Sequence, residues 1–259
     1  MSEEVLYHFF PRREQNADQA IRTLKSIFEN GLFLTKEIVS IPWEDRFGKD
    51  KNRKLTIEQF RFCLTAITNK EELIDHSKKF GNIGLEFSVD FITKLGGFPV
   101  FYVPSPAQGG TSDESYKGIS LLYRIAEMQE LLEYIIEHSL IVTKDIDLEN
   151  VLGSIRLLAN ICYPTKRKSS TNIAGSNYYN QREWRIIYGL TPEKVLVRKR
   201  ENAYAIESFM DQPILNFINK IVLCNPSKNT EIENDLLLNS IMVFVREHCN
   251  HIKIETLIQ

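Results

Sequence analysis

The spacing of the apolar residues changes partway along the chain, and this change limits the folds that the chain can adopt. Short segments at residues 5–10, 60–67 and 83–88 have the composition and the two-residue alternation of strands. Beyond Leu121 the spacing lengthens to that of a helix. Because strands and helices do not alternate regularly, the pattern disfavours a doubly wound parallel sheet. We predict an α+β fold with antiparallel strands and flanking helices.

Two amphipathic segments follow one another between residues 115 and 163. The residues that form their two apolar seams are Leu121, Ile125, Met128, Leu132 and Ile135, followed by Val151, Ile155, Leu158 and Cys162. A polar connection separates the two seams, so two antiparallel helices are the simplest arrangement. We predict a helical-hairpin insertion at about residues 115–163 within a single domain that spans residues 1–259.

Composition excludes several classes of function. The 259 residues are 43% hydrophobic and carry a formal charge of −2, which gives no overall attraction to nucleic acid or membranes. The first residues lack a signal sequence, no apolar run reaches the length of a membrane span, and four widely spaced cysteines include no C-x-x-C pair. We therefore expect a cytoplasmic protein with free thiols. The run Arg198-Lys199-Arg200 is interpreted as a solvated loop.

A late strand begins at Glu183 and carries the first candidate for chemistry. Trp184, Ile186 and Tyr188 alternate with Glu183, Arg185 and Ile187, so one face is apolar and the other begins with a carboxylate. The simpler interpretation is an edge strand with solvated charges; the alternative is that Glu183 faces a ligand. If alternation is strict, only one of Arg182 and Arg185 can share the face of Glu183.

Three further polar residues lie on predicted elements. His8 is on the first strand, Thr65 on the strand at residues 60–67, and His76 near the end of a short helix. Taken singly, each fits a structural role, as a core histidine, a sheet residue and a partner of the helix dipole. The sequence has no G-x-G-x-x-G, Walker, G-x-S-x-G or H-E-x-x-H motif, and we predict no metal site.

The order of these residues resembles a family pattern. Tyr7-His8, followed by Ser26-Ile27-Phe28-Glu29-Asn30-Gly31-Leu32, resembles the opening of ADP-ribosyltransferase-like proteins. Phe62-Cys63-Leu64-Thr65, His76-Ser77-Lys78-Lys79-Phe80-Gly81 and Pro99-Val100-Phe101-Tyr102-Val103 resemble the core of the AbiGi abortive-infection family. Gln181-Arg182-Glu183-Trp184-Arg185 is similar to the late strand of that family.

The resemblance implies a fold of two short antiparallel sheets of ADP-ribosyltransferase-like type, with NAD as substrate bound between them. It implies that His8 binds the adenosine ribose and that Glu183 binds the nicotinamide ribose, so these two residues are the predicted catalytic pair. A carboxylate close to the oxocarbenium-like centre formed on loss of nicotinamide favours the transition state. The further residues implied to bind NAD are Tyr7, Thr65, His76, Tyr179 and Arg185.

Two functions follow from the resemblance. The first is an NAD-dependent mono-ADP-ribosyltransferase, or an NAD-cleaving effector, in bacterial antiphage defence, with a protein or a nucleic acid as acceptor. The second is a catalytically inactive binding protein that acts as an antitoxin or phage-sensing partner of another protein in a defence operon. Phe10 stands where the related toxins tend to have Thr, and this difference favours the second function.

Overall fold

The computed structural model describes residues 5–10, 17–42, 54–103, 116–139, 147–164, 182–225 and 231–258. The strands within these ranges are β1 Val5–Phe10, β2 Leu32–Pro42, β3 Lys54–Ala66, β4 Ile83–Ser88, β5 Phe98–Pro99, β6 Phe101–Val103, β7 Cys162–Pro164, β8 Glu183–Ile187, β9 Val195–Lys199, β10 Ala203–Phe209, β11 Gln212–Pro213, β12 Lys220–Asn225 and β13 Lys253–Ile258. The helices are α1 Ala17–Asn30, α2 Lys70–Phe80, α3 Val89–Lys94, α4 Tyr116–Glu137, α5 Leu148–Ile161 and α6 Glu231–His248, with a 3-10 turn at Ile214–Phe217.

The chain forms two compact units. The first unit contains residues 1–36, 60–98 and 182–259, and the second contains residues 37–59 and 99–181. Within the second unit, α4 packs against α5, and β6 pairs in parallel with β7. The two predicted helices at about residues 115–163 are thus α4 and α5, whereas their description as an insertion into a single domain stays a prediction.

The main sheet confirms the predicted α+β class but differs from the predicted pair of short sheets. Eleven of the described strands form one sheet, whose central order is β11-β10-β2-β3-β1-β4-β12-β13. Strand β1 is antiparallel to β3 and β4, whereas β12 and β13 are parallel. Helix α6 connects β12 to β13, and such a crossover is what a parallel pair requires. The sheet is therefore mixed.

The sheet of the first unit is covered on both faces. On one face, Leu6 of β1 lies in the large core, together with Leu24 of α1 and Val245 of α6. On the other face, Tyr7 and neighbouring side chains of β1 and β12 form a smaller cluster with helix α2. We call the side of Leu6 the large-core face and the side of Tyr7 the α2 face. Because successive residues of a strand point to opposite sides, each side chain of β1 points either to the large-core face or to the α2 face.

Several elements were not predicted from the sequence. Helix α3 and strands β9, β10 and β11 lie where no helix or strand was predicted, and β7 begins at Cys162, which was predicted to belong to a helix. The run Arg198-Lys199-Arg200, which was interpreted as a loop, places its first two residues on β9. Within the described part of the chain, no helix is both long and apolar enough to cross a membrane.

Glycine at position 31 is required by its backbone and its surroundings. Gly31 follows α1, has φ of +90°, and donates its N–H to the carbonyl of Ile27 at 2.8 Å. A Cβ at this position would lie 2.0 Å from the carbonyl oxygen of Ile206 on β10. Gly189 has the same φ of +90°, but a Cβ there would meet no atom within 4 Å. A substitution at Gly31 would introduce both backbone strain and a steric conflict, whereas a substitution at Gly189 would introduce backbone strain alone.

We expect Gly31→Ala to lower the free energy of unfolding by about 3 kcal/mol, because left-handed strain and overpacking add. Gly189→Ala should cost only about 1 kcal/mol, since it introduces the strain alone. Urea denaturation of both variants measures the difference. Equal losses in the two variants would contradict the role of the contact with β10.

Candidate functional site

The strand register brings three of the predicted site residues onto one face. Tyr7 of β1 lies opposite Thr65 of β3, and Thr65 lies opposite Glu183 of β8. Residues that lie directly opposite each other in paired strands point to the same side of the sheet. Arg185 is two residues beyond Glu183 and shares this face. Tyr7, Thr65, Glu183 and Arg185 are therefore all on the α2 face.

His8 points to the other side of the sheet. Its ring stacks on Phe62, with a centroid distance of 4.1 Å, and lies 6.0 Å from the ring of Phe10. Its Nδ1 lies 2.8 Å from the carbonyl oxygen of Cys63, and because a carbonyl can only accept, Nδ1 is the donor. The predicted catalytic pair requires His8 and Glu183 to lie on one face of the sheet. The structure places them on opposite faces.

His76 and Tyr179 are the remaining predicted residues, and the structure describes only His76. His76 of α2 stacks on Phe80 at 4.2 Å and lies 5.3 Å from the ring of Phe9, so it covers the α2 face. Burial lowers the pKa of His76 to about 4, with a smaller contribution from the positive charge of Lys79. His76 is therefore a neutral ring within an aromatic stack at neutral pH. Tyr179 lies outside the described residues.

A polar row continues across the sheet beyond the predicted residues. Its members, each directly opposite the next on adjacent strands, are Lys220, Glu86, Tyr7, Thr65 and Glu183. The phenol of Tyr7 donates to Oε2 of Glu86 at 2.5 Å, and Nζ of Lys220 lies 3.2 Å from the same oxygen. Lys220 also contacts Glu255 of β13 at 2.9 Å. Side chains of β1, β4, β12 and β13 are therefore joined in one network.

The protonation of this network follows from its surroundings. Burial and the hydrogen bond to Glu86 hold the pKa of the Tyr7 phenol well above its ordinary value, so Tyr7 remains a donor. Burial alone would lower the pKa of Lys220, but its hydrogen bonds and charge interactions with Glu255 and Glu86 raise it. Lys220 is therefore a cation at neutral pH. Glu86 is the buried charge of this network, and a buried charge persists in a folded protein when it is paired.

Glu86, Lys220 and Glu255 were not among the site residues predicted from the sequence. The signal was nonetheless present, because Glu86 interrupts an otherwise apolar strand in which Leu85 and Phe87 are fully buried. A charge at such a position requires a partner. The partner could not be identified from the sequence, since Lys220 is distant in the chain and the β4–β12 register decides their contact.

At the other end of the row, Glu183 is paired within its own strand. Nε of Arg185 donates to Oε1 of Glu183 at 2.7 Å, and the Arg185 side chain is only 1% exposed. Strand β8 pairs with both β3 and β5, so these charges are on an interior strand and are not the solvated charges of an edge. The side chain of Glu183 is 12% exposed. Its carboxylate can accept hydrogen bonds, but a ligand would have to reach it beside the guanidinium.

Arg182 has a different partner from Arg185. Its Nη2 contacts Oε2 of Glu72 on α2 at 2.5 Å, and Glu72 also accepts from the backbone N–H of Thr68 at 3.1 Å. Arg182 has φ of +41°, and its carbonyl accepts from the N–H of Ala66. This arrangement ties the start of α2 to the start of β8.

A separate cleft lies elsewhere in the first unit. It has a volume of about 280 Å³ and is bordered by the end of α1, which includes Glu29, by the 3-10 turn, and by Arg198, Arg200 and Glu207. In it, Glu207 pairs with Arg198 at 2.9 Å and with Arg200 at 2.5 Å. The basic run is therefore partly neutralised by a carboxylate on the neighbouring strand. Among the described residues, no group of three or more His, Cys, Asp or Glu is arranged to hold a metal ion.

The fold and the site define an α+β protein whose mixed sheet carries a partly buried polar row on one face. A model of the AbiGi family, described as "Putative abortive phage resistance protein AbiGi, antitoxin", matches residues 34–220. The match covers most of the chain, and the chain belongs to this family. No curated protein and no solved structure matched the chain.

The depressed pKa of His76 predicts a pH dependence of stability. The unfolded chain binds a proton on this side chain near pH 6.5, whereas the folded protein binds it near pH 4. Stability is therefore intact above pH 6.5 and falls as the pH decreases toward 4, by up to about 3 kcal/mol. Replacing His76 with Phe, which preserves the stack, should remove this part of the loss. Urea midpoints at both ends of this pH range measure it.

His248→Phe serves as the control, because His248 is exposed. We expect it to keep the pH dependence of the unaltered protein. If the His76→Phe variant loses as much stability between pH 6.5 and pH 4 as the unaltered protein, other groups cause the pH dependence.

The buried pair on β8 predicts a cost for neutralising its carboxylate. We expect Glu183→Gln to destabilise the fold by about 3 kcal/mol, because Arg185 then remains as a buried charge without that carboxylate. Arg182→Gln, which breaks a partly exposed pair, should cost less than about 1 kcal/mol. Adding Arg185→Met to Glu183→Gln should recover part of the loss. Thermal and urea unfolding of the three variants test this, and a Glu183→Gln variant as stable as the unaltered protein would contradict it.

Proposed function

We propose that this protein acts in phage defence as an antitoxin that binds and neutralises a growth-inhibiting partner protein. Membership of a family described as an abortive phage resistance protein and antitoxin supports this function. The partner is then a protein toxin encoded with the antitoxin. Neutralisation occurs by complex formation and does not require consumption of NAD.

The observation that carries the proposal is the separation of His8 from Glu183. The predicted catalytic pair requires both residues at one cleft, but the register directs them to opposite faces of the sheet. Each also has a structural partner, since His8 binds the Cys63 carbonyl and Glu183 binds Arg185. Both residues have roles in the stability of the sheet that a binding protein also needs.

A second candidate is the NAD-dependent ADP-ribosyltransferase or NAD-cleaving effector. Three of its implied residues, Tyr7, Thr65 and Glu183, lie side by side on one face, and this observation favours it. Glu183 would then act without His8, with His76 on the same side of the sheet. The two candidates differ in whether the folded protein binds NAD.

Coexpression in a bacterial host tests the antitoxin function. We expect that inducing the partner toxin alone stops colony formation and that coexpression of this protein restores it. Restoration should accompany a stable complex of the two purified proteins. Failure to restore growth, with both proteins expressed and folded, would contradict the proposal.

Measurements with NAD distinguish the two candidate functions. A ligand that binds only the folded state raises the melting temperature by mass action. The antitoxin function predicts no shift with millimolar NAD and no release of nicotinamide. A rise in melting temperature together with nicotinamide release would favour the enzyme instead.

A further inference from the structure

Helix α4 of the second unit exposes a strip of large apolar side chains. Met128 is 51% exposed, Leu131 is 59% exposed and Tyr134 is 53% exposed. Successive members are three residues apart, so they lie along one side of the helix. Ile125, three residues before Met128, is 4% exposed and faces the interior. At about 100° per residue, Met128 lies beside Ile125 and Tyr134 lies on the opposite side of α4, so the exposed strip runs from the edge of the packed side to the outer side of the helix.

Helix α5 has the same relationship between its buried and exposed residues. Leu152 and Ile155 are buried, whereas Val151 and Leu158 are 40% and 48% exposed. Val151 and Leu158 are seven residues apart, which is two helical turns, and lie on one side. Leu158 is three residues beyond the buried Ile155, as Met128 is three residues beyond Ile125.

An antiparallel arrangement of α4 and α5 puts Met128 and Leu131 on the same side of the helix pair as Val151 and Leu158, with Tyr134 at the outer edge. Helices α4 and α5 pack together and are joined by residues 138–147, a connection suited to an antiparallel hairpin. In an antiparallel pair, exposed strips that are offset from the packed sides in the same rotational sense emerge on the same side. We call this surface the apolar ridge, and its residues are Met128, Leu131, Tyr134, Val151 and Leu158. Exposed apolar surface of this kind marks interaction sites in soluble proteins.

The ridge has an acidic border. Between Arg124 and Lys144 the sequence contains four Glu residues and neither Lys nor Arg. Two of these acids, Glu130 and Glu137, are exposed on α4 next to the ridge. Tyr134 is held in place by His138, whose ring stacks on it at a centroid distance of 4.0 Å. The surface thus combines an ordered apolar strip with negative charge along one side.

Charge decides which partner this surface fits. A second copy of the chain presents the same acidic border and not a basic one, so the pairing of two copies gains no attraction from these charges. A segment that carries apolar residues on one side and Lys or Arg on the other would match both features. We propose that the apolar ridge binds a basic amphipathic segment of a partner protein, an inference that rests on the proposed antitoxin function.

Two matched synthetic peptides test the chemistry of the surface. Both form amphipathic helices with Leu on one face, and the polar face carries Lys in one peptide and Glu in the other. Fluorescence anisotropy with the full chain should show at least about tenfold tighter binding of the Lys peptide, which corresponds to about 1.4 kcal/mol. The affinity should fall as salt is added, because ions screen exposed charges.

Matched variants locate the binding surface. We expect the double variant Met128→Ser, Leu131→Ser to abolish binding, and Glu130→Lys, Glu137→Lys to remove the preference for the Lys peptide. The controls are Leu196→Ser, Val243→Ser for exposed apolar residues and Glu193→Lys, Glu201→Lys for exposed acids, all in the first unit, and these should bind normally. Circular dichroism confirms that each variant is folded.

The proposal is overturned if the two peptides bind equally, or if the ridge variants bind as tightly as the controls. It is also overturned if sedimentation shows a dimer that Leu131→Ser dissociates, because the occupant is then a second copy. The growth assay separates the two proposals. Ridge variants that still protect against the toxin would overturn the surface and leave the antitoxin function intact. If the unaltered protein fails to protect against the toxin, the antitoxin function is overturned. The peptide-binding measurement then still tests whether the apolar ridge binds a basic amphipathic segment.

Discussion

The register between β4, β1, β3 and β8 is the constraint on which the described site depends. Because side chains alternate along a strand, the register determines which face of the sheet each residue occupies. The alignment of Tyr7 with Glu86 and with Thr65 puts the polar row on the α2 face and leaves Leu6 on the large-core face. A slip of one residue would direct the charge of Glu86 into the large core. The bond between Tyr7 and Glu86 therefore helps to select the register that buries the apolar side chains.

The same register determines how the buried charges are used. Lys220 and Tyr7 both contact the carboxylate of Glu86, and Arg185 pairs with Glu183. Each carboxylate of the row therefore has a cationic or hydrogen-donating partner on its own face of the sheet. In a low-dielectric interior such pairing offsets the cost of desolvation. These contacts give the residues of the row a structural role that does not depend on a ligand. The exposed apolar ridge on α4 and α5 is not explained by such contacts, and the proposed binding of a partner would explain it.

Much of the secondary structure could be predicted from local patterns. Val5–Phe10 and Ile83–Ser88 were predicted with the boundaries that the structure has, because the composition and alternation of strand residues are local signals. The region from β9 to β11 was not predicted. Its strands are short and carry charged residues. Strand β9 is stabilised by pairing with β10, and Glu207 of β10 contacts Arg198 of β9. Pairing between strands is not a property of either strand alone.

The sequence alone determined the α+β class, the amphipathic helix pair and the presence of unusual polar residues on apolar strands. It also placed Arg185 on the face of Glu183, because the two are separated by one residue and alternation is local. Only the tertiary structure decided that Glu86 meets Lys220 and that His8 and Glu183 point to opposite faces. The physical reason is that alternation sets which residues of one strand share a face, whereas the register between distant strands sets which residues of different strands meet.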